Sequence, residues 1–383
     1  MLTVHMNQGQ GETSYARNSF VQEFLHTRLG ATLLIIMCTF SEELHLDLQN
    51  GEQKRMKPLI EAAIVDLCPG TSTLLPTKMV IVDLGCSSGP NAIALVSIAV
   101  EAIHNHCHQF LQPPPEVSVL LNDLPDNDFN MVVKNLVMLR QSSNDTIVMA
   151  GVLPGSFYER LFTSGSLHLV FSSNSLHWLS KAPEDLTKNQ IPAYDIDEHT
   201  RLERRPMVLQ AYAQQFRKDF TRFLELRAKE MIPGGRMVVS LVGRDSDVII
   251  PEFSHLCEFV AQILSVMVSE GVIDKAKFDS FYLPVYEPSN KELREIIQDE
   301  GSFSITEMQA NNPFVGLDSA LMVPSRFASV TRAIFEPIIV LHFGEVMDEF
   351  VRTLERHWSL EGSLQLEHAK SPRPMLAVSL KKA

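Results

Sequence analysis

Short aliphatic and β-branched runs alternate along the chain with longer stretches whose apolar residues recur at helical spacing. The first run, Met79 to Leu84 (MVIVDL), ends at Gly85 and is followed by a helical stretch over Asn91 to His104. Val117 to Leu121 comes next and closes on Asn122-Asp123. Then come Asp145 to Val152, His168 to Ser172, and Arg236 to Val242, the last after a Pro-Gly-Gly turn at 233–235. Two later runs, Ser302 to Met308 and Met375 to Lys381, complete the series, and the final one is expected to lie antiparallel at the sheet edge. Runs of this length bounded by turn residues are strand signals, and strands alternating with helices build a parallel sheet covered on both faces. The pattern predicts an α/β fold with a doubly wound core.

Two stretches, Ser172 to Arg236 and Val242 to Ser302, are too long for simple crossovers and read as mostly helical. They are expected to form a helical cap over a pocket at the carboxyl ends of the strands, where open α/β sheets bind ligands.

Composition narrows the function classes. The 383 residues are 45% apolar and 21% charged, enough for a full-sized core. A net charge of −13 gives no attraction to nucleic-acid phosphates or to an anionic membrane, so neither partner is expected. Cys38, Cys68, Cys86, Cys107 and Cys257 are odd in number and scattered, unlike a disulfide framework, and a reducing, cytoplasmic setting is expected. Residues 1–20 lack the apolar core of a secretory signal, and the apolar run Leu29 to Phe40 falls short of the roughly 20 residues that cross a bilayer. No membrane span is expected.

The segment Val82-Asp83-Leu84-Gly85-Cys86-Ser87-Ser88-Gly89-Pro90-Asn91 carries the most chemistry. An apolar strand runs into an acid and a Gly-rich turn, where missing Cβ atoms let backbone approach a ligand. The spacing G-x-x-x-G differs from the G-x-G-x-x-G of pyrophosphate-binding turns, which disfavours a nicotinamide dinucleotide. Asp83 can instead meet the cationic amino group of a methionine-like tail, and Asp123, one strand over, can accept the two hydroxyls of an adenosine ribose. Read alone, the first motif equally describes a plain strand-to-helix turn, and Asp123 a helix N-cap. The cluster His104-Asn105-His106-Cys107-His108 fits no standard zinc spacing and reads as a solvated helix end.

The succession Ser14-Tyr15-Ala16-x-Asn18-Ser19-x-x-Gln22, the DLGCSSGPN turn, Leu121-Asn122-Asp123-Leu124-Pro125, Pro154-Gly155-Ser156-Phe157-Tyr158 and Ser175-Leu176-His177-Trp178-Leu179-Ser180 resembles the signatures of the plant SABATH methyltransferases. Pro233-Gly234-Gly235-Arg236-Met237, Asp279-Ser280-Phe281 and Arg332-Ala333-x-x-Glu336-Pro337 extend the resemblance over nearly the whole chain. That family contains carboxyl methyltransferases of salicylate, benzoate, jasmonate and indoleacetate and the caffeine-pathway N-methyltransferases. The resemblance implies a Rossmann-like methyltransferase core that uses S-adenosylmethionine, bound by Tyr15, Asp83, Cys86, Asn91, Asp123, Leu124, Ser156 and Phe157. It places Gln22 and Trp178 on the carboxylate of a small-molecule acid, with His177 beside them as an orienting residue.

Asn174, Cys257 and Thr331 stand where the salicylate-type pattern carries Tyr, Trp and Met. Lost aromatic walls imply a roomier, more polar pocket suited to benzoate-, salicylate- or anthranilate-like acids, with the Asn174 amide meeting an ortho substituent; jasmonate stays open. The alternatives are N-methylation of a xanthine-like heterocycle and a catalytically impaired relative that still binds ligand. Some relatives carry a magnesium site, whose pattern maps to Asn189, Asp279 and the backbone of Phe281, with Tyr282 replacing one ligand. A homodimer is compatible with the family.

The chain is read as one domain: a core over about 52–175, 206–245 and 338–383, a cap over about 176–205 and 246–337, and an N-terminal active-site segment 1–22. Residues 23–51 have no counterpart in the family pattern and read either as an unspliced intron or mistaken gene model, the favoured reading, or as an extra helix on the cap.

Overall fold

The computed structural model describes residues 54–68, 76–88, 90–143, 146–244, 256–311, 324–361 and 374–383. Tyr15, Gln22 and the stretch 23–51 lie outside the described residues, as do Gly89 and the side chain of Cys257. Strands β1 (Lys78–Leu84), β2 (Glu116–Asp123), β3 (Ile147–Pro154), β4 (Leu167–Ser173), β5 (Met231–Val242), β6 (Phe303–Asn311) and β7 (Met375–Lys382) form a seven-stranded sheet in the order β3-β2-β1-β4-β5-β7-β6. The pairs among β1 to β5 are parallel, and β7 runs antiparallel to both β5 and β6.

Two expectations are corrected. The C-terminal strand is antiparallel but interior, and β6 takes the edge. Burial explains the exchange: Met375 to Leu380 are all buried, whereas β6 alternates irregularly and exposes Ser304, Thr306, Glu307 and Ala310, as suits an edge. The strand preceded by Pro-Gly-Gly starts earlier than expected, at Met231. The glycines are absorbed as an irregularity in its pairing with β4, between Leu167 and Leu169.

The helices are α1 (54–67), α2 (Ala94–Gln109, entered through a 3-10 turn at Pro90–Ile93), α3 (Phe129–Ser142), α4 (Glu184–Lys188), α5 (Glu198–Glu230), α6 (Leu256–Ser269), α7 (Lys275–Asp279), α8 (Asn290–Glu300), α9 (Pro324–Phe343) and α10 (Met347–Glu361). Side-chain alternation along the strands divides the core. Met79 and Ile81 of β1 face one cluster with Met56, Leu59 and Ile60 of α1 and Val96, Ala99 and Ile103 of α2. Val82 and Leu84 face the other with Phe216, Phe220 and Phe223 of α5 and Ile296 of α8. A third cluster, Phe259, Leu264, Phe278, Phe281, Phe335, Ile339 and Phe350 among others, gathers α6, α7, α9 and α10, and Trp178 packs at its margin. These helices form the cap, whose bounds differ from those expected: α10 packs within it and α8 packs on the sheet.

Local signals account for the ends of these helices. The Asp197 carboxylate accepts the Thr200 N–H at 2.8 Å to start α5. Ser289 and Glu292 form a reciprocal capping box on α8, which stops at Gly301 with φ of 80°. On α2, His106 is buried against Phe110 while His104 and His108 are exposed, and no group of three potential metal ligands occurs among the described residues. No described helix is long and apolar enough to cross a membrane.

Candidate active site

The carboxyl ends of β1, β2, β3 and β4 converge on one side of the sheet. Asp83 pairs in register with Leu121 and Phe171, and Asp123 with Pro154. Asn122, fully buried at the end of β2, organises this edge. Its carbonyl accepts the N–H groups of Gly85 and Cys86, both at 2.9 Å, and its side-chain amide donates to the carbonyls of Leu153 at 2.7 Å and Gly155 at 2.8 Å. One residue therefore fixes the turn after β1 against the turn after β3.

Gly85 serves a different purpose from the one its sequence suggests. Its φ is +79°, and an added Cβ would lie 2.6 Å from the Cβ of Ser175 and closer still to that residue's Oγ. The space is filled by Ser175, whose hydroxyl donates to the Gly85 carbonyl at 3.0 Å. Glycine is required here by protein packing, with the ring of Phe157 as the next neighbour at 3.5 Å.

Asp83 is 4% exposed, and its Oδ1 has no hydrogen-bond partner among the described residues. Burial, aggravated by the nearby Asp123 carboxylate, pushes its carboxyl up to about 7. Such a group is held ready for a cation. Asp123 has one oxygen on the Ser87 N–H at 2.6 Å and the other on the Leu124 N–H at 2.7 Å. Ser87 reaches that position with φ of 59°, and its carbonyl accepts the Asn127 amide at 2.9 Å. Asn91 sits half-buried in the 3-10 turn that follows. Cys86 packs its side chain into the first apolar cluster, where burial and the two acids drive its thiol far above the ordinary range, so it stays protonated. The residues present thus fit S-adenosylmethionine: a buried acid for an ammonium, a half-buried acid for two hydroxyls, and the Phe157 ring with Ser156 beside it for a base.

Beyond β4 the chain forms a second cluster of candidates. Ser180 is pinned to Asp219 of α5 by its N–H at 2.8 Å and its hydroxyl at 2.7 Å. The Trp178 carbonyl accepts the Tyr158 hydroxyl at 2.8 Å, and Trp178 bridges to Val285 of the cap. Its ring centroid lies 5.7 Å from that of His177 and 6.0 Å from that of Phe335. Thr331, one helical turn before Phe335 on α9, is buried. His177 is buried, its Nδ1 has no hydrogen-bond partner among the described residues, and desolvation pulls its imidazole down to about 4 in spite of nearby Glu287. It is a neutral ring at pH 7.

Other expected residues are not drawn into this cluster. Asn174 is exposed in a left-handed conformation, φ 54°, with its N–H on the Ser240 carbonyl at 2.9 Å. The residues mapped to magnesium are engaged otherwise. Asp279 takes the Lys275 ammonium at 2.7 Å, the Asn189 amide donates to the Asp185 carbonyl at 2.7 Å, and Tyr282 donates to the Ile191 carbonyl at 3.0 Å. One carboxylate already paired with a lysine is a poor ligand set for magnesium, which favours several oxygens in octahedral array. Sequence reasoning missed Asn122, Tyr158, Ser175 and Asp219 as organisers. Asn122, Tyr158 and Ser175 lie within the recognised motifs, whereas nothing in the sequence signalled Asp219.

The strand order, with its final strand inserted antiparallel and an acid in the last two residues of each of the first two strands, defines a Rossmann-like S-adenosylmethionine-dependent methyltransferase. The family model described as SAM dependent carboxyl methyltransferase matches residues 41–383, and the chain belongs to that family, the SABATH enzymes. Anthranilate O-methyltransferase 3 of Zea mays is 34% identical over 99% of this chain and 97% of its own length. Salicylate carboxymethyltransferase of Clarkia breweri is 36% identical over 91% of this chain and 90% of its own. Among solved structures, a loganic acid methyltransferase with S-adenosylhomocysteine superposes with a TM-score of 0.77 at 28% identity, covering 98% of both chains. The protein is an S-adenosylmethionine-dependent methyltransferase of small carboxylic acids.

Proposed function

We propose that the acceptor is a flat aromatic monocarboxylic acid of the benzoate, salicylate or anthranilate type, held against the wall that Trp178 forms with the α9 face carrying Thr331 and Phe335. The observation that carries this reading is the fixed indole. Trp178 is tied through its backbone to Tyr158 and to Val285, and its ring packs against Phe335, which makes one rigid apolar wall. The names of two relatives, which act on anthranilate and on salicylate, support the same class.

Bound S-adenosylmethionine supplies an electrophilic methyl group on a sulfonium. The acid is ionised at neutral pH, since carboxyl groups titrate near 4, so attack of its oxygen on that methyl requires no general base. The new O–CH3 bond forms as the S–CH3 bond breaks, and no proton moves. The chain's task is placement. In this reading the Trp178 indole N–H and the Gln22 amide donate to the carboxylate, and neutral His177 orients it without competing for its charge. Asp83 takes the ammonium of the amino-acid tail, Asp123 the ribose hydroxyls, and Phe157 and Ser156 the adenine. Holding nucleophile and methyl in line and away from water supplies about 7–11 kcal/mol of the rate enhancement. The deciding experiment is product analysis across aromatic acids; an enzyme that esterifies only acyclic or cyclopentanone-type acids would overturn the aromatic assignment.

A further inference from the structure

Between β3 and β4 the chain runs through residues 155–166 without regular secondary structure, and this strap carries Ser156, Phe157 and Tyr158. Its backbone polar groups have no sheet or helix ladder to satisfy them. One ion pair at the end of α5 satisfies four of them. Arg227 and Glu230 are both fully buried and joined Nε to Oε2 at 2.7 Å. Their remaining bonds all fan across to the strap. Arg227 Nη1 donates to the Phe157 carbonyl at 2.8 Å and Nη2 to the Glu159 carbonyl at 3.1 Å. Glu230 Oε1 accepts the N–H groups of Leu161 at 2.8 Å and Phe162 at 3.1 Å.

Aromatic packing reinforces the same connection. The Arg227 guanidinium lies 5.3 Å over the ring of Phe223, which meets the Phe157 ring edge-on with centroids 6.2 Å apart. The strap then folds back so closely that a Cβ on Gly155 would lie 2.8 Å from Leu161 Cδ2. The next residue, Tyr158, places its ring centroid 4.7 Å from that of Phe157 and donates to the Trp178 carbonyl. A displacement of the pair therefore moves the proposed adenine contact first and the acceptor wall through it.

We infer that Arg227 and Glu230 are positioning residues for the cofactor: the buried pair presets the strap that presents Ser156 and Phe157, so that S-adenosylmethionine meets an ordered surface. Preorganisation of this kind shows in cofactor affinity, because a strap that must be ordered on binding charges that cost to the ligand. The inference rests on the assignment of Phe157 to adenine made above, and the test separates the two.

The experiment measures the dissociation constant of S-adenosylhomocysteine by calorimetry, and kcat and KM for both substrates, in Glu230→Gln, Arg227→Lys and Phe157→Ala. Glu230→Gln keeps an oxygen for the strap amides but removes the charge, and Arg227→Lys keeps the charge but cannot span both carbonyls. Each is expected to raise the cofactor Kd and KM by about tenfold or more while the KM of the acid moves by less than about threefold. A pair that only supports folding would lower the melting temperature and the apparent kcat and leave the cofactor KM unmoved, and that result would overturn the inference. Unchanged affinity in Phe157→Ala would remove the adenine assignment itself, whereas a loss there with none in the pair variants would remove the positioning role alone. If the pair variants do not fold, the unliganded wild type decides. The Leu161 and Phe162 amides should exchange slowly with solvent hydrogen before any cofactor is added, and fast exchange that slows only with S-adenosylhomocysteine would refute a preset strap.

Discussion

Asp83 is a carboxyl buried beside a second carboxyl, and burial, with the Asp123 charge added, raises its titration to about 7. Relative to an unfolded carboxyl near 3.8, the raised value means that this group favours the unliganded fold most at low pH, and that this contribution is lost as pH rises from about 4 through 7. Cofactor binding has the opposite sign, since the ammonium needs the ionised form. Calorimetry should show S-adenosylhomocysteine binding about tenfold more weakly at pH 6 than well above pH 7, and a pH-independent affinity would place the ammonium elsewhere. Asp123→Ala should weaken the same binding by about ten- to a hundred-fold, the cost of a charge-assisted contact of about 1.5–3 kcal/mol. Trp178→Ala should instead keep cofactor affinity and lose ester formation by about a hundred-fold, as expected when a nucleophile is misplaced by about 1 Å; mass spectrometry of the product reads this out. His177 stays neutral across the physiological range, so the rate profile above pH 5 should carry no histidine limb.

At the scale of elements, the turn after β1 depends on Gly85 because Ser175 of the next segment fills the space where a side chain would stand. Gly85→Ala should cost at least about 2 kcal/mol through strain and overpacking, visible as a lowered melting temperature and lost cofactor binding together. The strands themselves were legible because their burial comes from local runs such as MVIVDL and EVSVLL, whose β-branched residues announce them. The order of the last two strands was harder to read. MLAVSLKK and FSITEMQAN both read as strands, and only the continuous burial of the first tells that it is flanked on both sides. The acids at the ends of β1 and β2 were legible for a similar reason, since they end apolar runs. The organisers were not. Asn122 acts through its backbone and amide on two turns, Tyr158 through a carbonyl across the site, and Arg227 with Glu230 on a strap far back in the sequence. Long-range hydrogen bonds of this kind leave no periodicity. Asn174, a position chosen by pattern, is exposed where its left-handed backbone carries the chain out of β4, a feature no periodicity announces.

At the scale of the whole molecule, the sheet carries the proposed cofactor edge and the cap the proposed acceptor wall, joined by Tyr158 and by the Trp178–Val285 bridge. With Asp279 held by Lys275, chelation by EDTA should leave turnover within about twofold, since carboxylate methylation needs no Lewis acid to ionise the acid. The stretch 23–51 is tested by joining Gln22 directly to Glu52. Equal or higher turnover would mark it as dispensable, and lost methylation as integral. The most direct test of the central claim is transfer of label from radiolabelled S-adenosylmethionine to a panel of aromatic, jasmonate-like and indole acids alongside a xanthine. The site predicts a base-labile methyl ester on an aromatic acid, formed without added metal. A label that appears only on the ring nitrogen of the xanthine, or no ester from any acid while S-adenosylhomocysteine still binds, would contradict it.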